Sequence, residues 1–483
     1  MTTKKLPKGW STCLLEDLIT RMSNGANVQQ YDEKFGYPIT RIETIWNESI
    51  DLTRIKFIKE NDVDFVEKYR LEPGDILFSH INSDSHLGKT AVFKNQTNTL
   101  IHGMNLLLIR PSKKVLSEFL NYQFKFLRNS GAFVDIAQRA VNQSSINQKK
   151  LKSLIFLLPP LNEQKRIVAK VEELFSELDM GLENLKKAQE LLKVYRQALL
   201  KNAFEGKLTE EWRKMNLRSA SSKPKPLTHQ KHEITTLPSI PLEWEYASLG
   251  QFIKCIEAGK SFKCEEREPT SHEVGVAKVS AVTWGEYNES ESKTCNDPTK
   301  INSKLYVNEG DFLFSRANTI DLVGACVIVK QVKKNIMLSD KTLRIKFNIS
   351  DPTYILWYLR SITGRNEIMK RSTGNQDSMR NIGQERIRSI LLPLCSEDEQ
   401  LEIIRILNEK LLGIEDLERK INNELQRSQS LRQSILKKAF SGELVTHNPN
   451  DEPVSVLLDR IKSEKNDPNS SSKKSKKLQK VAL

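Results

Sequence analysis

The sequence predicts an α+β fold built twice: two similar α+β domains separated by two long helices paired as an antiparallel coiled coil. Three observations carry this: a helix-end motif that recurs at a fixed offset, the same offset in the segments before it, and an apolar stripe on both long elements. Arg196-Gln-Ala-Leu-Leu-Lys-Asn-Ala-Phe-Glu-Gly-Lys-Leu208 matches Arg432-Gln-Ser-Ile-Leu-Lys-Lys-Ala-Phe-Ser-Gly-Glu-Leu444 at 8 of 13 positions, an offset of 432 − 196 = 236. Glu163-Gln164 recurs as Glu399-Gln400 at the same offset, so the stretch between these anchors has kept its length, as a rigid element would. Pro73-Gly74-Asp75-Ile76-Leu77-Phe78-Ser79 parallels Glu309-Gly310-Asp311-Phe312-Leu313-Phe314-Ser315, and Ile146-Asn147-Gln148 parallels Ile382-Gly383-Gln384. Leu6-Pro-Lys-Gly-Trp10 corresponds more loosely to Ile240-Pro-Leu-Glu-Trp244.

The rigid element reads as a helix. Apolar residues at three-four spacing run Ile167, Val171, Leu174, Leu178, Leu185, Leu192, Tyr195, Leu199, and again Ile403, Leu407, Leu411, Ile414, Leu417, Ile421, Leu425, Leu431, Ile435. Prolines precede each start, Asn162 is placed to cap the first helix, and Ser396 with Glu399 fits a capping box on the second. Gly206 and Gly442 stand where helices stop. From Asn162 to Gly206 such a helix measures about 65 Å. An apolar stripe seeks a partner, and the chain holds a second helix of equal length, so the two are expected to pair rather than pack only on their own domains. The stripe itself does not set direction, but two similar units joined through one face favour a pseudo-two-fold, hence antiparallel, arrangement.

The boundaries follow: residues 1–158 form the first domain, 159–207 the first long helix, 208–235 a basic linker, 236–393 the second domain, 394–443 the second long helix, and 444–483 a C-terminal helix and basic tail. Short strands are expected at Asp75–Phe78, Lys89–Phe93 and Asn105–Ile109, and at Asp311–Phe314, Gly324–Val329 and Thr342–Ile345. Helices are expected at Ser117–Arg128 and Pro352–Arg360.

With 483 residues, 38% hydrophobic and 28% charged, and a mean hydropathy of −0.49, the chain can build several cores. No run approaches the roughly 18 apolar residues of a membrane span, and Met1–Gly9 has no apolar block of a secretory signal, so a cytoplasmic location is expected. The six cysteines, Cys13, Cys255, Cys264, Cys295, Cys326 and Cys395, form no Cys-x-x-Cys pair and read as reduced structural residues. His229 and His232 read as linker residues rather than metal ligands. Net charge is +14, but residues 213–232 carry +6 and residues 461–483 carry +5, so charge alone does not define a nucleic-acid surface on the remainder. Those basic segments suit phosphate contact without sequence reading.

A search for catalytic motifs fails. Asp351-Pro-Thr-Tyr354 lacks the second proline of an amino-methyltransferase motif and reads as a helix start. The tripeptides Glu205-Gly-Lys207 and Glu291-Ser-Lys293 are expected by chance in so charged a chain, and no phosphate-cradling glycine loop or metal-ligand cluster occurs. A non-enzymatic subunit is favoured over a single-chain enzyme fused to a reading module. A coiled-coil scaffold whose globular ends bind protein is the other alternative.

In each domain, polar loops fall at equivalent points: Ser79–His86 and Ser315–Thr319, then Arg139–Ser145 and Ser372–Arg380. Arginine can address guanine, and asparagine or glutamine adenine, by paired hydrogen bonds, although such loops are also ordinary turns.

The repeat, the Pro160-Leu-Asn-Glu-Gln164 helix start, the two helix ends and Leu208-Thr-Glu-Glu-Trp212 together resemble the specificity subunit of type I restriction-modification systems over essentially the whole chain. The resemblance implies two target-recognition domains, each reading half of a split asymmetric DNA site, held apart by antiparallel helices. The helix-pairing positions are then Ile167, Val171, Leu174, Leu178, Leu185, Leu192, Leu199, Ile403, Leu407, Ile414, Leu417, Ile421 and Ile435. It implies DNA-binding positions at His80, Asn82, Ser83, His86, Asn142, Gln143 and Ser144, and at Arg316, Asn318, Asn375, Gln376 and Ser378. It also implies two modification (methyltransferase) subunits and restriction (translocase) subunits as partners, with S-adenosylmethionine, ATP and magnesium held by those partners and no cofactor or metal in this chain. The first copy lacks the Thr373-Gly374 of the second, and the second helix start, Leu394–Gln400, is two residues longer than its mate.

Overall fold

The structure is a computed structural model and describes residues 6–59, 62–94, 99–140, 143–216 and 237–466. Most of the basic linker, with His229 and His232, and the lysine-rich end of the tail lie outside the described residues. Two compact units divide the chain: residues 1–185 with 423–483, and residues 186–422.

In the first unit, four antiparallel strands lie in the order Ile19–Asn24, Leu106–Pro111, Ile76–Ser79, Thr90–Val92. In the second, the order is Ile253–Ala258, Thr342–Phe347, Phe312–Ser315, Cys326–Ile328, so topology repeats as the sequence does. The central strands are buried on both faces because helices cover one side: Ser117–Asn129 in the first unit, Thr353–Arg360 and Ile362–Arg371 in the second. Phe78 meets Phe124 and Phe133 edge-on at 5.5 and 5.1 Å in the first core.

The repeated Gly-Asp dipeptide has a physical cause. Asp75 accepts the Glu72 N–H at 2.7 Å, closing the turn, and takes Arg110 in a two-point bond at 2.7 Å. Asp311 closes the same turn through Asn308 at 2.8 Å and is paired with buried Arg344 at 2.8 Å. Each turn aspartate is desolvated, so each needs its arginine.

The long helices span Leu161–Phe204 and Glu397–Phe440. In the first unit, Ile167, Val168, Val171 and Phe175 share a cluster with Leu436, Ala439 and Phe440, and Asp179 pairs with Arg432. In the second unit, Leu199, Leu200, Ala203 and Phe204 share one with Ile403, Leu407, Leu411 and Ile414. There Gln189 bonds Asn422 at 2.8 Å and Arg196 bonds Glu418 at 2.9 Å. Rising numbers on one helix meet falling numbers on the other, so the pair is antiparallel.

The stripe differs in register from the sequence reading. Tyr195, Leu417 and Leu431 are exposed, whereas Phe175, Leu200 and Leu436, absent from the stripe as read, are buried; Leu174, Leu178, Leu185, Leu192 and Ile435 are half-buried. The inward positions Ile403, Ile414, Leu425 and Leu436 recur every 11 residues, the repeat of three turns of nearly straight helix. A seven-residue spacing drifts off that face by about 20° per heptad.

Both helix ends follow the glycine rule. Gly206 and Gly442 each have φ +73°, and the Lys207 and Glu443 N–H groups close back on Asn202 and Lys438 at 2.9 Å. A Cβ at Gly206 would meet Pro241 at 2.4 Å, and one at Gly442 would meet Pro7 at 2.5 Å, so the loosely repeated Pro-x-x-Trp segments seat on these stops.

The helix starts depart from expectation. Asn162 lies inside the first turn, not at the cap, and contacts Asp451. Ser396 caps the second helix through the Glu399 N–H at 3.4 Å, but the Glu399 carboxylate turns away from the box. It accepts from Trp244 Nε1 at 2.9 Å, Thr209 Oγ1 at 2.7 Å and Arg213 Nε at 3.0 Å. Its repeat partner Glu163 accepts from Trp10 Nε1 at 2.8 Å and faces His447 at 3.4 Å. In each unit one buried glutamate thus ties a domain's first tryptophan, a helix start and the segment following the other helix. Arg213, counted with the basic linker on sequence, is a half-buried structural charge.

The C-terminal segment is no appendage. Its helix, Val454–Asn466, puts Val454, Leu457 and Ile461 into the core of the first unit.

Candidate nucleic-acid interface

The two polar loops of each domain, far apart in sequence, are hydrogen-bonded neighbours. In the first unit Ile81–Asn82, Gln143–Ser145 and Gln138–Ala140 form a three-stranded sheet, with Ser144 opposite Asn82. In the second unit Ala317–Asn318, Met379–Asn381 and Thr373–Gln376 do the same, with Arg380 opposite Asn318. The backbone frame is common, and Asp377 reinforces it in the second copy by accepting the Ile320 N–H at 2.8 Å. Gly374, at φ +128°, is required there because a Cβ would meet the Met379 carbonyl at 2.4 Å. The first copy forms the sheet without this glycine.

The site residues fall into two kinds. Asn82 donates to Ser79 Oγ at 3.2 Å and accepts from the Ser83 N–H at 2.9 Å; Asn318 donates to Ser315 Oγ at 3.3 Å and accepts from the Thr319 N–H at 2.8 Å. Both amides perform the same turn-building task, which makes them frame rather than variable surface. At other equivalent positions the copies diverge. His80 stands where the second copy has Arg316, His86 where it has Leu322, and Ser144 where it has Arg380.

Among the described residues the Arg316 side chain is held only by a long contact to Asn381, 3.5 Å, which leaves the planar end of its guanidinium available. Ser144 is buried and bonds the Asp84 carboxylate, which also faces Arg139 at 3.7 Å. Ser83, His86, Gln143, Gln376 and Ser378 are exposed, with Ser378 3.5 Å from Gln376. Asn375 lies on the strand Thr373–Gln376, and Asn142 lies outside the described residues. Arg139 and Arg380, at the ends of the polar loops, belong to these sheets as well. Their charge and their equivalent loops were the available signal.

His80 is half-buried rather than exposed. Its Nδ1 is buried without a hydrogen-bond partner among the described residues, and burial pushes the imidazole down to about 4, against a bond to the Asn105 backbone that favours the charged form. Behind it, fully buried His102 bonds the Leu106 carbonyl through Nε2 at 3.0 Å and is likewise pushed down to about 4 by burial. Both rings are therefore neutral near pH 7. The denatured chain takes up protons below its ordinary histidine pKa of 6.5 while the folded chain does not. Their contribution to the first unit's stability is thus constant above pH 6.5 and is lost as pH falls from 6.5 towards 4. His102→Gln should flatten that limb, removing on the order of 3 kcal/mol of pH dependence. Urea titrations across this range check it; an acid limb unaltered in the variant would refute the assignment.

Among the described residues no group of three or more His, Cys, Asp or Glu is placed to hold a metal, and no helix is long and apolar enough to cross a membrane. All six cysteines are free thiols. Glu205 and Lys207 pair with each other at the helix stop, and Glu291 accepts from Ser280 at 2.6 Å, so neither tripeptide is poised as a catalytic pair.

Such an architecture defines a class: a duplicated protein that presents one polar three-stranded surface per copy on a common frame. The profile of the type I restriction modification DNA specificity domain matches residues 7–192 and again 241–427, and the chain belongs to that family. A Methanocaldococcus jannaschii protein named as the MjaX type I restriction enzyme specificity subunit is 30% identical over 446 residues, covering 91% of this chain and 95% of that one. The EcoKI specificity subunit of Escherichia coli K12 is 27% identical over 491 residues, covering 96% and 97%. Among solved structures, a chain from a type I restriction-modification assembly aligns with TM-score 0.65 at 18% identity, covering 91% of this chain and all of that one. The HsdS subunit of Thermoanaerobacter tengcongensis aligns with TM-score 0.51 at 18% identity, covering 92% and 99%. These last two speak to fold alone.

Proposed function

We propose that this chain is the non-catalytic DNA-specificity subunit of a cytoplasmic type I restriction-modification complex, reading a split asymmetric site with one half assigned to each domain. The observation that carries this reading is the pair of hairpin sheets with identical framing asparagines and divergent neighbours. A protein that reads two unlike half-sites needs a constant scaffold and variable side chains. Two modification subunits would dock on the helices and bring S-adenosylmethionine. Restriction subunits would bring ATP and magnesium.

Deleting the gene should erase one bipartite methylation mark from the genome, a result read directly by methylation mapping. Arg316→Ala should relax a single position in one half-site by roughly 1–3 kcal/mol if the guanidinium pairs with guanine. Binding measured against a panel of single-base variants checks this. Unchanged preference at every position would remove Arg316 from the reading surface.

A further inference from the structure

Beside the second hairpin sheet lies an open cleft of about 510 Å³. Lys278, Lys293 and Lys341 line it together with Ser261, Ser280 and Thr283, and no carboxylate is among its lining residues. The lysines come from three places in the chain: Lys278 follows the strand Val274–Ala277, Lys293 lies in Ser292–Thr294, and Lys341 precedes Thr342–Phe347. Nearby acids are already engaged: Glu266 by Lys293, Asp340 by Ser261 and Glu291 by Ser280. Among the described residues neither Lys278 nor Lys341 is within 4.0 Å of a carboxylate; Lys278 also acts at longer range on Glu266, whose carboxylate is bonded to Lys293. Asn318 lies on the wall of the cleft, and the Lys341 carbonyl accepts the Arg316 N–H at 2.9 Å, so the cleft adjoins the residue proposed to read bases.

We propose that this cleft seats backbone phosphates of the DNA duplex flanking the bases addressed by Arg316, with Lys278 and Lys341 as the neutralising charges and the hydroxyls as added donors. Lysine is a compact point charge without the planar fork that distinguishes bases, so it positions DNA and does not specify sequence. The device is particular to the second domain, because at the 236-residue offset uncharged Asn105 replaces Lys341. The proposal rests on the reading of the hairpin sheets as a DNA surface.

The test uses the full-length chain assembled with its modification subunits. Binding is followed by fluorescence anisotropy between about 50 and 200 mM salt, a range over which phosphate contacts dominate the change in affinity. The duplexes are the target and one scrambled in both half-sites. Lys278→Gln with Lys341→Gln should lower the slope of log affinity against log salt by about 2, weaken both duplexes by the same factor and leave base preference intact. Lys278→Arg with Lys341→Arg should restore the slope. An unchanged slope in the glutamine variant overturns the cleft, as does a loss confined to the target duplex. Arg316→Ala separates the two ideas. If it leaves base preference untouched while the lysine variant lowers the slope, the cleft stands and the reading assignment falls. If it relaxes preference while the lysine variant keeps its slope, the reverse holds.

Discussion

A chimera that takes residues 1–158 together with 444–483 from a specificity subunit of different target should methylate sites changed in one half only. The other half should remain as in the parent. Methylation mapping reads this directly, and a change in both halves would end the modular reading. Transferring residues 1–158 without the C-terminal segment should give a much less stable protein. Val454, Leu457 and Ile461 fill the first unit's core, and each buried side chain of this kind is worth about 1.5–3 kcal/mol when its surroundings fit. Foreign surroundings lose much of that, so the short chimera should unfold at lower urea than the long one. Equal midpoints would show that the helix is dispensable.

Glu399→Ala should destabilise the second unit by about 3–5 kcal/mol, the usual cost of stranding one member of a buried ion pair. Arg213 would be left without its carboxylate at 2.9 Å, and the Trp244 indole N–H and Thr209 hydroxyl would lose their acceptor. Glu399→Gln keeps an acceptor but not the charge, and should fall between alanine and the parent. Removing the exposed Lys330–Glu286 pair, also in the second unit, should change stability by less than about 1 kcal/mol, because solvent screens it. Urea denaturation ranks the variants. A Glu399→Ala protein as stable as the exposed-pair control would refute the node.

The duplication, the strands around each Gly-Asp turn and both long helices were legible in the sequence, because each depends on local periodicity or on identity at one offset. The Gly206 and Gly442 stops were equally legible, since a left-handed residue after a helix has few solutions. The site was legible only as loops. Asn82 and Asn318 suit base reading by residue type, yet both amides are occupied by the turn. His80 is polar and in a loop, yet its ring is turned inward. Which atoms a side chain spends on its own backbone is not encoded in its identity.

By itself, the sequence determined that one fold is built twice, with rigid helical segments of equal length, since repetition and periodicity are properties of a linear string. The repeat already favoured antiparallel helices; tertiary structure alone decided which side chains line their seam and that the C-terminal helix belongs to the first unit's core. It also decided that Glu163 and Glu399 both face tryptophans, Glu399 doing so instead of closing its capping box. These are contacts between segments more than 150 residues apart, chosen by how buried charge and apolar surface are best satisfied together.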